Sequence, residues 1–250
     1  MPVQFQNYEY LTWRDGKPLF APSELGRRIG EDIKAQVEAA YEFDDFVYHL
    51  KRNGGHVAAL HAHRPHTRFA RVDIRRFFYS IARNRVQRAL VGIGVDRARH
   101  YAKWSCVKNP YDGPSYALPY GFVQSPILAT LVLLESNVGH LLRNVHADQN
   151  MAVSLYMDDI SLSSDDAAAL EEVFGELLTQ LGEARFELSD HKVRLPASEI
   201  DVFNCDLRHG LSTVRADRVE RFGVEPKSQD SVEAFTRYCA SVEQGNTVTN

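Results

Sequence analysis

The sequence predicts an α+β fold with an antiparallel sheet, and three observations lead to that prediction. Apolar stretches flank the tetrapeptide at 156–159 on both sides, a pattern typical of a β-hairpin. A second apolar stretch at 69–74 reads as a buried strand far upstream. An amphipathic helix is predicted at about 166–184, after the hairpin. Strand, helices, hairpin, helix and further strands in this order are typical of an α+β layer.

The remaining elements follow from capping and breaking residues. Ser23 is expected to cap a helix that runs in one or two pieces to about Leu50, where Asn53-Gly54-Gly55 ends it. Ser125 is expected to cap a long apolar helix, with Pro126 in its first turn. The other predicted segments are helices at 84–92, 96–107, 127–145 and 229–242, and strand-like pieces at 185–188 and 200–207.

Length and composition describe an ordinary globular chain. It has 250 residues, of which 44% are hydrophobic and 25% charged, enough to bury a full core. Its three cysteines, Cys106, Cys205 and Cys239, have no C-x-x-C spacing, so neither a disulfide framework nor a zinc site is expected. The first ten residues do not resemble a leader, and no apolar run reaches membrane-spanning length. We therefore expect a cytoplasmic protein with no membrane partner.

Charge is distributed unevenly along the chain. The formal net charge is −4, yet the segment 64–108 carries twelve arginines and lysines against two acids, Asp73 and Asp96. The segment 158–206 is rich in acids, most of them expected on the solvated face of a helix. A basic region facing phosphates would suit an enzyme that acts on nucleic acid. The alternative is a basic helix that is simply solvated.

Three carboxylates are candidates for a metal site. Asp158 and Asp159 lie at the tip of the predicted hairpin, and Asp73 ends the predicted upstream strand. If the two strands lie side by side, the acids converge and can hold two divalent cations about 3.5–4 Å apart, an arrangement that favours phosphoryl transfer. All-oxygen carboxylate sites suit Mg²⁺. The alternatives are a solvated Asp-Asp turn and a buried Asp73 paired with Arg71 or Arg75.

Several segments in fixed order resemble the bacterial reverse transcriptases of retrons, group II introns and, above all, antiviral defence systems. The three clearest matches to the family's catalytic motifs are 72–81, 118–126 and the tetrapeptide Tyr-Met-Asp-Asp at 156–159, and the weaker matches are 51–61, 187–192 and 203–207. The resemblance covers roughly Tyr48 to Leu211. It implies a right-hand polymerase with fingers and an antiparallel palm sheet and a reduced or absent thumb. The implied domains are N-terminal helices and fingers at 1–68, a palm at 69–211 with a fingers insertion at about 82–117, and a C-terminal extension at 212–250.

The resemblance also implies roles for individual residues. Asp73, Asp158 and Asp159 are expected to bind two Mg²⁺ ions, with Mn²⁺ as the alternative and the backbone of Ile74 as a further ligand. Lys192 matches a lysine that acts as general acid on the pyrophosphate, although a plain surface turn is an equal alternative. Phe78 matches the bulky residue that excludes a 2′-hydroxyl and so favours dNTPs. The other substrate contacts expected are Arg68, Arg71, Tyr120, Gly121 and Gln124.

Two departures from the family's pattern stand out. Tyr120 replaces the usual glutamine of the second motif, and Gln124 can compensate only if it turns inward. After Leu211 only 39 residues follow, too few for a three-helix thumb. The histidines His56, His61, His63 and His66 are expected in fingers contacts or at the surface, with no zinc.

The resemblance implies an RNA-directed DNA polymerase that uses an RNA template or a structured non-coding RNA, consumes dNTPs and makes a DNA product. Template-independent or protein-primed synthesis by the same site is a second reading. A palm-fold RNA-binding scaffold without activity is a third, although clustering three repelling acids gives a scaffold no advantage. A second copy of the chain or a partner protein is a candidate to cover exposed palm surface.

Overall fold

The computed structural model describes residues 6–224 and 226–247, and its fold is the α+β class with antiparallel sheets that the sequence predicts. The helices are α1 Glu24–Ala40, α2 His56–His63, α3 Arg83–Gly92, α4 Ala98–Ser105, α5 Ser125–Leu134, α6 Asn137–Ala147, α7 Ala167–Glu183, α8 Ala216–Gly223 and α9 Gln229–Glu243. The strands are β1 Tyr8–Arg14, β2 Lys17–Pro22, β3 Arg68–Asp73, β4 Val107–Lys108, β5 Tyr116–Ala117, β6 Met151–Tyr156, β7 Asp159–Ser164, β8 Arg194–Ala197, β9 Glu199–Val202, β10 Cys205–Arg208 and β11 Leu211–Val214.

The described chain forms two compact units. Unit 1 contains residues 6–43, 74–140 and 180–187. Unit 2 contains residues 44–73, 141–179, 188–224 and 226–247. These units interleave along the chain, whereas the expected boundaries at 68 and 211 are sequential. Those boundaries remain a prediction about polymerase subdomains.

Unit 2 is built on a four-stranded antiparallel sheet with the order β6-β7-β3-β8. The predicted hairpin forms from β6 and β7, and β7 pairs with β3 over its full length. This register places Asp73, the last residue of β3, directly opposite Asp159, the first residue of β7. Since alternate residues of a strand share a face, Arg71 and Asp73 lie on the same face of β3.

A second sheet of unit 2, β9-β10-β11, encloses a separate part of the core. Phe69 of β3 packs in it with Ile200, Val202 and Leu207, and α2 and α9 contribute Leu60 and Val242. Burial of these apolar side chains stabilises the layer. The turn between β9 and β10 has left-handed backbone at both Phe203 and Asn204, as expected for a tight hairpin turn.

Unit 1 combines the β1–β2 hairpin with helices α1, α3, α4 and α5. The predicted cap of α1 is confirmed, since Ser23 Oγ accepts a hydrogen bond from the Gly26 amide at 3.0 Å. Phe20 of β2 packs against Tyr79, Val107 and Phe122 in an aromatic part of the core. Helix α5 is almost entirely buried, as its apolar sequence predicts.

The prediction of one long helix at 127–145 is wrong, because the helix is interrupted at Glu135 and Ser136, between α5 and α6. Ser136 Oγ donates to the Leu133 carbonyl at 2.6 Å and so competes with helical pairing. Gly139 then packs so closely that a Cβ there would lie 2.0 Å from the Leu134 oxygen.

Three smaller expectations also differ from the structure. Helix α1 ends at Ala40 rather than near Leu50, because Tyr41 has extended backbone. Gln124, not Ser125, precedes the first turn of α5, and Ser125 is already helical. The strand expected at 185–188 is absent from the described residues, because Arg185 adopts a left-handed conformation that ends α7.

Among the described residues, no single helix has the length and apolar character to cross a membrane. Only α5 and α6 taken together, which are separated by a sharp bend, are long and apolar enough.

Candidate active site

The acid cluster, defined as Asp73, Asp158 and Asp159, forms in unit 2 where β3 pairs with the hairpin β6–β7. Asp73 and Asp159 are cross-strand neighbours, whose Cβ atoms lie about 4.5–5.5 Å apart in such pairs. Asp158 lies in the two-residue turn beside Asp159. The predicted convergence of the acids is therefore a direct result of strand pairing.

Arg71 holds Asp159 in place. Its Nε donates to Asp159 Oδ1 at 2.6 Å, and its Nη2 donates to the same oxygen. The guanidinium is buried, with only 8% of the side chain exposed. The predicted triphosphate contact of Arg71 therefore lacks support, because its guanidinium is already engaged inside the protein. Its position two residues before Asp73 on one face of β3 is the signal that could have indicated this pairing.

Asp201 of β9 continues the ion-pair network behind Arg71. Arg71 Nη1 donates to the Asp201 carbonyl at 3.2 Å and lies 3.8 Å from its Oδ2. Arg194 of β8 binds the other carboxylate oxygen of Asp201 at 2.5 Å, and Arg215 lies 3.8 Å from Oδ2. Nearby arginines keep the pKa of Asp201 below its usual value despite the opposing effect of burial. The second sheet thus holds Arg71 in place through Asp201, and Arg71 in turn holds Asp159.

Asp73 is fully engaged by the loop after α7. Its Oδ2 accepts a hydrogen bond from Lys192 Nζ at 2.6 Å, and its Oδ1 accepts one from Ser189 Oγ at 2.6 Å. The Asp73 carbonyl also accepts from the Ser189 amide at 2.9 Å. Lys192 is 42% exposed on its side chain, but it is not a plain surface turn residue. The alternative pairing of Asp73 with Arg75 is absent from the described ion pairs, and Arg71 approaches no closer than 3.9 Å.

Two histidines that the sequence did not assign to the site support the β6–β7 hairpin that carries Asp158 and Asp159. His49 Nδ1 accepts a hydrogen bond from the Met157 amide at 3.1 Å, within the turn that carries Asp158. The ring of His63 bridges Ser154 of β6 and Ser163 of β7 at 2.8 Å on each side. His63 is buried, so the expectation of a surface position is wrong for it. Burial lowers the pKa of His49 to about 4 and that of His63 to about 3.

The electrostatics of the acid cluster favour an additional cation. The pKa of Asp159 is raised to about 6, mainly by burial; Arg71 lowers it, and Asp158 and Asp73 add to the rise. The arginine therefore offsets only part of the cost of concentrating negative charge. A divalent cation beside these oxygens would lower that cost.

The residues present fit a divalent cation, provided that Lys192 leaves Asp73. Within 6–224 and 226–247, no three His, Cys, Asp or Glu side chains are grouped as a ready metal cage. The donor set is nevertheless made of hard carboxylate oxygens of the type that Mg²⁺ prefers. Because the Lys192 ammonium now binds Asp73, a cation must displace it from Oδ2. The Ile74 ligand remains a prediction.

Unit 1 contains the residues expected to recognise the nucleotide. Phe78 is buried, with 7% exposure, and its ring meets the Tyr120 ring edge-on at a centroid distance of 4.9 Å. Tyr79 lies against Tyr120 at 5.5 Å, and Lys17 Nζ lies 5.7 Å from the Tyr120 ring centroid. Tyr120, the departure from the family's glutamine, is thus embedded in an aromatic cluster.

Gly121 and Gln124 have structural reasons for their identities. Gly121 has a φ of +102°, and a Cβ there would lie 2.2 Å from the Phe20 carbonyl oxygen. Gln124 is buried, and its Oε1 occupies the place that a Cβ on Gly30 would need. Its Nε2 lies 3.5 Å from Ser105 Oγ. The predicted substrate contact of Gln124 is therefore unsupported, and so is the idea that its amide compensates for the family's glutamine that Tyr120 replaces.

Arg68 does not meet the acid cluster. It begins β3 while Asp73 ends that strand, and five residues of strand span about 16 Å. The expected triphosphate contact from Arg68 is therefore unsupported. His61 and His66 also have local roles, since His61 Nε2 pairs with the Val242 carbonyl at 3.0 Å and His66 lies 3.9 Å from Asp165.

Comparison with solved structures supports the fold. The foamy viral protease-reverse transcriptase dRH in complex with double-stranded DNA has a TM-score of 0.52 and 15% identity, over 90% of this chain and 34% of that one. The same viral protein with an RNA/DNA hybrid gives 0.50 and 17%, over 74% and 22%. With double-stranded DNA it gives 0.50 and 14%, over 91% and 40%.

This chain spans at most about two fifths of those viral chains, and at such identities the likeness concerns the fold alone. No curated protein sequence matches it significantly. The family comparison is more specific, because residues 16–216 match the family model of reverse transcriptase (RNA-dependent DNA polymerase). That match spans β2 through the start of α8 and includes the whole acid cluster. The chain belongs to the reverse transcriptase family.

Proposed function

We propose that this chain is an RNA-directed DNA polymerase that joins deoxynucleotides by two-metal nucleotidyl transfer. The observation that carries the proposal is the antiparallel pairing of β3 with β7, which sets Asp73 opposite Asp159 with Asp158 in the adjoining turn. Membership of the reverse transcriptase family supports the same reaction. Two divalent cations, Mg²⁺ or alternatively Mn²⁺, would stabilise the attacking and leaving oxygens of the transfer.

Each acid has a distinct task in this proposal. Asp73 and Asp158 bind the cations, and Asp159 supports them while Arg71 fixes its orientation. The buried Arg71 guanidinium and the His49 contact to the turn restrict the motion of the hairpin. Preorganised oxygens of this kind avoid a reorganisation cost during the reaction.

Lys192 serves as the proton donor to the pyrophosphate leaving group. Its ammonium is 2.6 Å from Asp73 Oδ2 and would leave that oxygen if a divalent cation were bound there. The side chain is 42% exposed, so it can swing without disrupting a packed core. A released ammonium group beside a triphosphate can give its proton to the leaving pyrophosphate oxygen and is thus suited to general acid catalysis.

Phe78 selects the sugar in this proposal by excluding a 2′-hydroxyl. Its ring is fixed by Phe77 at 5.8 Å and by Tyr120 at 4.9 Å, so it has little freedom to yield. A rigid, buried aromatic ring is a stronger steric barrier than an exposed one. We therefore expect dNTPs to be strongly preferred over NTPs.

The partner and biological setting rest on sequence resemblance. The motifs resemble bacterial defence-associated reverse transcriptases, so we propose a structured RNA as template or cofactor and a role in antiviral defence. The solved viral relatives are complexes with double-stranded DNA and an RNA/DNA hybrid. Retaining co-purifying RNA is therefore essential in any assay.

One observation favours a scaffold as the second candidate. Asp73 and Asp159 each hold a protein cation, Lys192 and Arg71 respectively, so the acids have partners without metal. A protein that binds RNA without catalysis could retain such pairs for stability. Against that view, the pKa of Asp159 stays raised although Arg71 binds it, mainly because of burial and further because of Asp158 and Asp73.

In the decisive experiment, the protein is purified with its co-purifying RNA retained. It is then incubated with Mg²⁺ and labelled dNTPs or NTPs. We expect incorporation of dNTPs by the wild type and loss of the product with Asp158→Ala. Sequencing the product distinguishes copying of RNA from untemplated addition. Glu172→Gln is the matched control, because it removes an acid from the exposed face of α7.

Specific results would reject parts of the proposal. Incorporation that survives Asp158→Ala would exclude the acid cluster as its source. Comparable use of NTPs would reject the role of Phe78. A failure to incorporate any nucleotide across templates and metals, together with stable RNA binding, would favour the scaffold.

A further inference from the structure

Unit 1 contains a half-open cavity of about 1050 Å³ that the polymerase proposal does not use. We call it the arginine cavity, because five arginines line it: Arg75, Arg76, Arg85, Arg88 and Arg185. Its walls come from the segment after β3, from α3, from the loop before β5 and from the end of α7. The volume is at the upper end of the range for small-molecule sites.

Three of these arginines form a cluster of like charge. Arg85 and Arg88 are three residues apart on α3 and therefore neighbours on its surface. Arg185 approaches them from the end of α7, and both Arg88 and Arg185 lower the pKa of Arg85, after burial as the main cause. None of the three forms an ion pair with an acid among the described residues. Repulsion of this kind is relieved by a bound anion.

The position of Arg185 adds an independent observation. It follows the last turn of α7, where its amide bonds to the Gly182 carbonyl and the Phe186 amide bonds to the Leu181 carbonyl, both at 2.9 Å. This helix ending normally has glycine at the left-handed residue, yet Arg185 has a φ of +58° there. A long cationic side chain therefore occupies a position where its backbone is unfavourable.

Arg85 is held in a fixed orientation rather than left mobile. Its Nη1 donates to the Ala184 carbonyl at 3.1 Å, and its guanidinium lies 4.5 Å from the Phe186 ring centroid. Neither contact neutralises its charge. A guanidinium oriented in this way keeps other donors available for the planar, paired hydrogen bonds that suit phosphate.

The rest of the lining is compatible with a nucleotide. Arg76 stacks over the Tyr111 ring at 3.9 Å, and Tyr111 and Tyr79 pack at 5.2 Å, which gives an aromatic wall. The lining also includes the acids Asp112, Glu135, Glu183 and Glu187. Glu187 lies 3.9 Å from Arg75, and both side chains are more than half exposed. Within the described part of the chain, none of these four acids forms an ion pair with Arg85, Arg88 or Arg185.

We propose that the arginine cavity is a binding site for a nucleoside polyphosphate, with Arg85, Arg88 and Arg185 as its phosphate contacts. Guanidinium groups bind phosphate oxygens in pairs, and the cavity has room for the nucleoside as well. The aromatic wall offers a surface on which a base can stack. This inference is independent of the acid cluster and of the polymerase proposal.

The test measures binding of ATP to the full chain by calorimetry in the presence of EDTA. Excluding divalent cations removes binding that depends on the acid cluster. We expect saturable binding that inorganic pyrophosphate displaces, and an affinity about tenfold weaker or worse in the double variant Arg88→Gln with Arg185→Gly. Glycine at 185 relieves the left-handed backbone, so loss of fold is not the expected cause of weaker binding.

The matched control is Arg221→Gln with Arg237→Gln, which removes two exposed arginines from α8 and α9 and should leave ATP binding unchanged. Binding should also persist in Asp158→Ala, which separates this site from the polymerase. Three results would each overturn the proposal: no ATP binding without metal, equal affinity in the double variant, or binding of a short single-stranded oligoadenylate RNA alone.

Discussion

The acid cluster of unit 2 and the arginine cavity of unit 1 differ in how their like charges are balanced. Asp73 and Asp159 are each bound to a cationic side chain, by Lys192 and Arg71. Arg85, by contrast, is held by a backbone carbonyl and an aromatic ring, neither of which carries charge. The ion pairs thus orient the carboxylates of the acid cluster, whereas in the arginine cavity we propose that a bound phosphate supplies the missing negative charge.

The largest effect is expected on the paired side, from Asp73→Asn. Loss of this carboxylate should reduce dNTP incorporation by about 10³-fold or more, since metal-assisted stabilisation of a transition state amounts to several kcal/mol. Its thermal stability should change little, because Lys192 is 42% exposed and can return to water. Incorporation and melting temperature are measured together, with Glu172→Gln as control. Activity within tenfold of wild type would contradict the role of Asp73.

Arg71→Gln should have the largest effect on stability. It leaves Asp159 and Asp201 without the buried guanidinium, and breaking such a pair costs about 3–5 kcal/mol of unfolding free energy. Urea unfolding measures the change, and adding Asp159→Asn to Arg71→Gln should restore part of it. Arg75→Gln is the matched control, because Arg75 is exposed and its pair with Glu187 should contribute at most about 1 kcal/mol. An equal loss of unfolding free energy in Arg71→Gln and Arg75→Gln would contradict the expected difference between buried and exposed ion pairs.

Acid should weaken the hydrogen bonds by which His49 and His63 hold the β6–β7 hairpin. The pKa values of His49 and His63 are about 4 and about 3 in the fold, below the ordinary 6.5. The unfolded chain therefore binds more protons between these values, and unfolding free energy falls as pH falls below about 6.5. From pH 7.5 to 5 the loss is roughly 2 kcal/mol for each histidine.

Asp159 acts in the opposite direction, because its raised pKa of about 6 makes stability rise as pH falls through that value. The His63 contribution is isolated by comparing urea unfolding of wild type and His63→Gln at both pH values. The variant should lose less stability on acidification. An identical pH dependence would mean that His63 does not carry this effect.

The smallest effect is expected on the unpaired side. Arg185→Gly should raise the unfolding free energy by about 1 kcal/mol, because glycine adopts the left-handed conformation without steric cost. Glu183→Gly, in the right-handed last turn of α7, is the control and should lower stability by about 1 kcal/mol. Thermal denaturation checks both. A loss of stability in Arg185→Gly would indicate that the guanidinium serves the fold rather than a ligand.

Local patterns in the sequence predicted much of the fold and the centre of the site. The hairpin around Asp158, the strand ending at Asp73 and the cap at Ser23 depend on neighbouring residues, so sequence spacing revealed them. Family resemblance added Lys192, which the structure joins to Asp73. The break between α5 and α6 was missed, because apolar periodicity does not register the Ser136 contact.

The interactions that hold the site in place were beyond prediction from local patterns. Arg71 and Asp201 are 130 positions apart, and His63 and Ser163 are 100 apart. Only the tertiary fold decides whether a charged residue in a basic segment meets phosphate or a buried acid. For the same reason Gln124 was assigned to the substrate although its amide is enclosed in unit 1.

The network through Arg71 also bears on the order of folding. Asp73 meets Lys192 across 119 positions and Arg71 meets Asp201 across 130, so both contacts require closure of long loops. Contacts of such high sequence separation form slowly compared with helices and hairpins. During synthesis, the ion-pair network that holds Asp159 through Arg71 remains incomplete until β9 has been made and Asp201 has met Arg71. We therefore expect nascent chains to show no nucleotide incorporation until unit 2 is assembled.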